Sequence, residues 1–471
     1  MKKYYNPNNL KAISPIDGRE YKYTKDLEGL LSEFGLMKYR TKVICLYFLE
    51  LSKSGVIRKL TEKEKDLLIS LFEKFDEKSF VEIKEIEETT NHDIKSVEYF
   101  IKGRVEKTSL KDLKEMIYFG LTADDVNNLA YALMFVDSLK KVYLPTAKNL
   151  LEKLANLIEE SKSAKMLGRT HGQLASPTTM GKELAVFAQR LKKNLEDLLS
   201  IKIEGKLSGA VGSYNSFTSA FPDFDWINFS RKFVSSLGLE PNIFTTQIES
   251  YTGLLKAFQN LERTNLVLLN LCQDMWRYIS DGYFKLRAKK EEVGSSAMPH
   301  KVNPIDFEIA EGNLEISNSL LSSFVNTMSI TRLQRDLSDE TAKRNIGVAL
   351  AHALLGLRFV QAGLEKVDAD KEKMLEDLKN NPQVIVEGLQ SIMRSQFVDS
   401  PYEKMKDLTR GKKVSLEEIQ EYIRKLDLKK DLEKKLLVLK PENYTGLSEK
   451  LAELAVEDLR KFLEKINVKQ L

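Results

Sequence analysis

Between Leu254 and Gly282 the chain carries neither glycine nor proline, and its apolar residues recur at helical spacing. Leu254, Leu255, Phe258, Leu261, Leu268, Leu269, Cys272, Met275, Trp276 and Ile279 form that series. The pattern predicts one helix of about 30 residues, roughly 45 Å long at 1.5 Å per residue and well above the usual globular length. Further long helices are expected at about 124 to 161, 177 to 203, 305 to 328 and 338 to 365. Before them the pattern gives helices at about 24 to 53, 61 to 76 and 81 to 102, the first with Leu27, Leu30, Leu31 and Phe34 at three-four spacing. After about 366 the helices become short and strongly charged, punctuated by Asn381-Pro382, Ser400-Pro401 and Arg410-Gly411.

The predicted fold is therefore mostly α. It divides into an N-terminal helical part over residues 1–115, a central long-helix bundle over 116–365 and a small C-terminal helical part over 366–471. Apolar stripes on more than one face of the central helices predict that copies of the chain pool them into a larger bundle. The competing reading is a large monomeric core.

Composition changes this picture little. A hydrophobic share of 42% and a charged share of 30% fit a soluble globular chain of 471 residues. The net charge of +4, spread over 73 basic and 69 acidic residues, gives no reason to expect nucleic acid or a membrane as partner. No run reads as a membrane span, and the start, MKKYYNPNNLKAISP, lacks a signal peptide's apolar stretch, so a cytoplasmic location is expected. Cys45 and Cys272 each sit in an apolar helical pattern and read as buried free thiols. The four histidines lack metal-site spacing and no glycine-rich phosphate loop occurs, so no metal and no cofactor are expected.

Four polar stretches interrupt the apolar pattern. GSSAMPHKVNPIDFE, at 294–308, places two hydroxyls, an imidazole, an ammonium and an amide in a loop, with Pro304 set to begin the next helix. That inventory suits an anion, although a surface loop with incidental polar residues has the same composition. LGRTHGQLASPTTMGKE, at 167–183, sets Arg169, Thr170, His171 and Gln173 between two helices, with Pro177 near the second one's start. A histidine there can exchange a proton near neutrality. TTNHD, at 89–93, resembles a capping box from Thr90 to Asp93 with His92 in the first turn, a position equally suited to a structural and an anion-binding role. GLTADDVNN, at 120–128, adds Thr122 at a further helix start.

The first stretch resembles the signature loop of the fumarase/aspartase superfamily, in the form carried by adenylosuccinate lyases of the long bacterial type. The likeness extends to SPIDGR at 14–19, TTQIE around Gln247 and TRLQRDLSDETAKRN at 331–345. It implies a three-domain lyase fold, a homotetramer with active sites at subunit interfaces, and small nucleotide substrates. The implied reaction is β-elimination of fumarate, with His171 as general acid and Ser295 as general base. By the same resemblance Lys301 and Asn303 hold the succinyl carboxylates, helped by Thr170 and Ser296. Asn91, His92, Asp93, Thr122 and Gln247 bind or orient the substrate, Arg19, Arg335 and Arg344 contact its phosphate, and Glu308 supports the catalytic histidine.

Three positions depart from the family pattern. Glu20 stands where a tyrosine is usual, Ala123 where a serine is usual, and Glu340 where a serine precedes the second phosphate arginine by four residues. A carboxylate at position 340 would repel a phosphate unless protonated or paired, and Arg335 or Arg344 are the expected partners.

Overall fold

The computed structural model describes residues 11–287, 298, 300–411, 414–426 and 428–466. The chain begins with SPIDGR in turns and single helical turns up to Leu31. Helix α1 then runs over Glu33–Lys53, capped by Ser32, whose hydroxyl accepts the Gly35 N–H. The helix expected from about residue 24 thus starts later, because Ser32 is extended and offers its side chain as a cap. Helices α2 (Glu62–Glu73), α3 (Glu77–Thr90) and α4 (Asp93–Val105) follow.

The expected helix over 81 to 102 is two helices. Asn91 ends α3 in the left-handed region (φ 49°), and His92 is itself the cap of α4, its Nδ1 accepting the Lys95 N–H at 3.3 Å. The Thr90 to Asp93 capping box is therefore not formed. Thr90 is still the last residue of α3, and the imidazole takes the role expected of its hydroxyl.

Helix α5 (Ala123–Ser138) passes through one π-turn at Leu139–Tyr143 into α6 (Leu144–Ser161), as the apolar pattern predicts. Between α6 and α7 (Met180–Ser200), where the sequence sets a polar stretch between two helices, the chain forms two strands. Strands β1 (Lys165–Thr170) and β2 (Gln173–Thr179) form an antiparallel hairpin closed by His171 and Gly172. Both turn residues have positive φ, 52° and 74°, the geometry that matches the twist of a two-residue hairpin. Pro177 does not start a helix but lies in β2 beside a break in register, where a missing N–H is tolerated.

Next come β3 (Glu204–Gly205), α8 (Trp226–Ser236) and β4 (Glu240–Pro241), with β3 and β4 parallel. The predicted long helix is α9, Thr252–Ser280, 29 residues. Strand β5 (Phe284–Leu286) follows it. Helices α10 (Ile305–Met328), α11 (Ser338–Arg344) and α12 (Ile346–Leu364) complete the bundle, Asn345 breaking the single helix expected from 338. Strand β6 (Val367–Ala369) pairs with β5.

Helix α10 packs on α9 and on α12, and α7 packs on α6 and α9. Contact between α10 and α12 is close because two glycines lie at it. A Cβ on Gly356 would come 2.3 Å from Leu314, and one on Gly363 would come 2.7 Å from Phe307. Residues 338–364 are long and apolar enough to cross a membrane, against the sequence reading, but 72% of their most apolar window is buried in the bundle.

The C-terminal helices α13 (Lys371–Lys379), α14 (Val386–Ser395), α15 (Pro401–Thr409), α16 (Leu416–Lys425) and α17 (Lys430–Leu437) enclose a cluster of their own. Its centre is Leu378, Leu389, Met393, Ile419 and Ile423. Helix α18 (Ser448–Lys465) returns to pack on α6 and α7. Cys45 and Cys272 are free and buried.

Candidate active site

The residues singled out by sequence fall into two groups at opposite ends of α9. The first group lies at its C-terminal end. Arg169 on β1 pairs with Asp281, the residue that caps α9, at 3.7 Å, and this holds the hairpin that presents Thr170 and His171. The hairpin's other strand is tied to the C-terminal helices by a hydrogen bond from Ser176 to Glu387. His171 is exposed, and among the described residues its ring has no side-chain partner.

Lys301 and Asn303 reach the same end, just ahead of Pro304, which caps α10. Within the first turns of α10, Glu308 accepts the indole N–H of Trp276 from the last turns of α9 at 3.2 Å, and Asp306 pairs with Lys366 at 2.7 Å. Within one chain Glu308 is thus held by Trp276. Ser295 and Ser296 lie outside the described residues.

The second group lies at the N-terminal end of α9. Tyr251, the cap residue there, donates its hydroxyl to Asp339 on α11 at 2.9 Å. Gln247 is fixed just before it, its backbone N–H on Gln334 and its side-chain amide on the Ala210 carbonyl at 2.9 Å. Arg335, Glu340, Lys343 and Arg344 follow on and before α11. Arg335 pairs with Asp124 at 3.2 Å, and Arg344 reaches both Glu340 at 3.6 Å and Asp93 at 3.7 Å.

Asp124 is carried in by the first turn of α5, whose start is fixed by the Thr122 N–H on Asp125 at 2.9 Å. Asp93 comes from the first turn of α4. Burial alone would raise the Asp93 carboxyl, but Arg40 at 2.8 Å, the Ile94 N–H and Arg344 hold it below the usual carboxylate range. Two adjoining clefts, of about 270 and 440 Å³, share Arg344 and Gly347. The larger reaches Ser14 and Asp17 of the SPIDGR turn and Tyr21 just after it, and so brings the exposed Arg19 to this end of the molecule.

Sequence reasoning missed the centre of this group, Lys343. Its side chain is fully buried and its ammonium lies 2.9 Å from Asp339, 3.1 Å from Glu340, 3.4 Å from Asp124 and 3.2 Å from the Tyr251 hydroxyl. Burial alone would drive it toward the neutral form. Asp124, Tyr251, Glu340 and Asp339 together outweigh that and hold its pKa well above the ordinary lysine range. The available signal was its three-four spacing from Asp339 and Glu340 on a helix. Glu340 is thus paired with Arg335 and Arg344, as expected, and also with Lys343, at a shorter distance than either. A second buried pair, Asp125 with Lys206 at 2.8 Å, stiffens the start of α5, and Asp125 also accepts the Ser208 and Gly209 N–H groups.

Among the described residues no group of three or more His, Cys, Asp or Glu side chains could hold a metal ion. What the two groups offer is chemical division of labour. One end presents an exposed imidazole and an ammonium on loop and hairpin, and the other a half-open cleft walled by paired charges.

Comparison with known proteins gives these ends a context. A lyase family profile matches residues 28–315, and one for the adenylosuccinate lyase C-terminal region matches residues 331–445. The chain is 43% identical over 446 residues to an adenylosuccinate lyase of Legionella pneumophila (strain Corby), covering 94% of this chain and 98% of that one. It is 39% identical over 443 residues to the adenylosuccinate lyase of Escherichia coli (strain K12), covering 93% and 97%.

Among solved structures it superposes on a fumarate lyase from Mesorhizobium sp. BNC1 with a TM-score of 0.72 at 16% identity, over 92% of this chain and 97% of that one. A 3-carboxy-cis,cis-muconate lactonizing enzyme from Pseudomonas putida gives 0.73 at 15% identity, over 94% and 98%. These two establish the shared helical fold. With relatives at this identity aligned along nearly all of its length, the chain belongs to the adenylosuccinate lyase family and is a carbon–nitrogen lyase.

Proposed function

We propose that the chain releases fumarate from adenylosuccinate, giving AMP, and from succinyl-aminoimidazole carboxamide ribotide, giving AICAR. The observation that carries this reading is the match to adenylosuccinate lyases over nearly the whole chain. In the proposed reaction Ser295, as an alkoxide, removes a proton from the succinyl carbon beside a carboxylate. The carbanion's charge spreads into that carboxylate, and the ammonium of Lys301 with the amide of Asn303 stabilises the more negative species. His171 then protonates the departing nitrogen as the double bond of fumarate forms. Its exposure on a hairpin turn supports this role, since the ring is free to meet a ligand.

The rest of the substrate lies against Asn91, His92, Asp93, Thr122 and Gln247, with its phosphate end toward Arg19, Arg335 and Arg344. Thr170 and Ser296 assist at the succinyl end, and no cofactor takes part.

The two ends of α9 are about 43 Å apart at 1.5 Å per residue over its 29 residues. One chain therefore cannot bring His171 to the Arg344 cleft. This separation supports a site assembled between copies of the chain, in a homotetramer that pools its long helices. We read the three segments 1–115, 116–365 and 366–471 as its domains and the cytoplasm as its location.

The test is fumarate release, followed by absorbance, from purified protein supplied with adenylosuccinate, beside Ser295→Ala and His171→Ala. Robust release that nearly vanishes in both variants is expected. No release from a folded wild-type oligomer, with either substrate, refutes the reading.

A further inference from the structure

We propose that Glu340 is a specificity-determining residue that occupies the place of a substrate anion, so that the chain accepts phosphate-free N-succinyl nucleosides nearly as well as their nucleotides. This rests on the lyase reading above and concerns only the far end of its substrate.

The Glu340 carboxylate lies 3.1 Å from the Lys343 ammonium, 3.6 Å from Nε of Arg344 and 4.0 Å from Nη2 of Arg335. Two guanidinium groups and an ammonium converging on one point are what a bound phosphate needs, and here the point already holds a buried carboxylate, 8% exposed. Around it four cations (Arg40, Arg335, Lys343, Arg344) face four carboxylates (Asp93, Asp124, Asp339, Glu340), joined by ion pairs throughout. Arg19 repeats the arrangement at the neighbouring cleft, its Nε 3.2 Å from Glu20.

A phosphate brought to Arg335 and Arg344 meets Glu340 at nearly the distance at which it meets the guanidiniums. Attraction and repulsion scale alike with separation, so the dianion gains little. What the site does offer is acceptors. Neither Glu340 oxygen makes a well-directed hydrogen bond among the described residues, although the side chain is buried. Buried acceptors of this kind are satisfied by hydroxyl donors, which an uncharged sugar supplies. Glu340 is thus the feature that sets how much the substrate's phosphate contributes.

The experiment measures kcat/KM for adenylosuccinate and for its dephosphorylated form, N6-succinyladenosine, with wild type, Glu340→Ser and the isosteric Glu340→Gln. Circular dichroism confirms that each variant is folded. The expected wild-type preference for the nucleotide is below about thirtyfold, rising at least about tenfold in the variants once the internal anion is gone. A wild-type preference above that limit, or one that neither folded variant raises, overturns the inference alone. Absence of fumarate from both substrates overturns the lyase reading and the inference with it.

Discussion

Replacing Lys343 by methionine tests whether the buried charge cluster holds the second half of the site together. Methionine keeps most of the side chain's volume and removes the ammonium that lies within 3.4 Å of Asp124, Asp339 and Glu340. Arg335 would still pair with Asp124 and Arg344 with Glu340. Among the described residues Asp339 would keep only the Tyr251 hydroxyl at 2.9 Å. A buried carboxylate, 4% exposed, is then left without its cation, and such a loss costs about 3–5 kcal/mol.

The pH dependence gives the sign of the effect. In the wild type the raised Lys343 pKa means that its contribution is fully present below the unfolded value of about 10.4 and is lost only as pH rises through the folded value. Wild-type stability owed to this lysine is therefore flat from pH 5 to 9. In the variant the penalty of the uncompensated buried charge is expected in full at neutral pH.

Urea unfolding followed by far-ultraviolet circular dichroism, at one fixed protein concentration, reads the loss and the flat wild-type pH dependence. The double variant Lys343→Met/Asp339→Asn should recover at least about 2 kcal/mol of the loss, since it removes the uncompensated charge. A Lys343→Met loss below about 1 kcal/mol, or one that Asp339→Asn leaves untouched, would refute this account of the cluster.

Three further outcomes are expected. Asp125→Asn should cost about 3–5 kcal/mol in the same urea assay, because it breaks a pair with Lys206 in which both side chains are fully buried; a near-neutral result would contradict the role given to that pair. Glu64 is held down to about 2, first by its hydrogen bonds with Arg58, so it contributes stability above about pH 4.3 that is lost as pH falls through about 2. Glu64→Gln should flatten the acid limb of stability in that window, and an unchanged limb would argue against the pairing. His92→Ala and His171→Ala, each weakly active alone, should regain activity when dissociated and reassembled together. Mixed oligomers no better than either parent would count against a shared site.

Legibility in the sequence followed distance along the chain. Helix α9 could be read because nothing in 254–281 interrupts a helix and its apolar residues keep helical phase. The hairpin at 165–179 could not, since neither strand alternates apolar and polar residues and its turn uses histidine where asparagine or glycine is the usual signal. His92 was placed two positions too far into the helix because a threonine–aspartate spacing imitates a cap that the imidazole itself provides. The candidate catalytic residues were found through motif resemblance. The Lys343 cluster was not, because Asp124 and Lys343 are 219 positions apart and only folding brings them together.

The length of α9 has a consequence for how activity depends on protein concentration. A ruler of 29 residues holds the hairpin end and the cleft end of one chain apart. If the site is shared between copies, as proposed, turnover per chain becomes a property of association and falls on dilution through the dissociation range. Full saturation with substrate would bridge the copies and shift that range to lower concentration, so that the substrate itself acts as part of the glue.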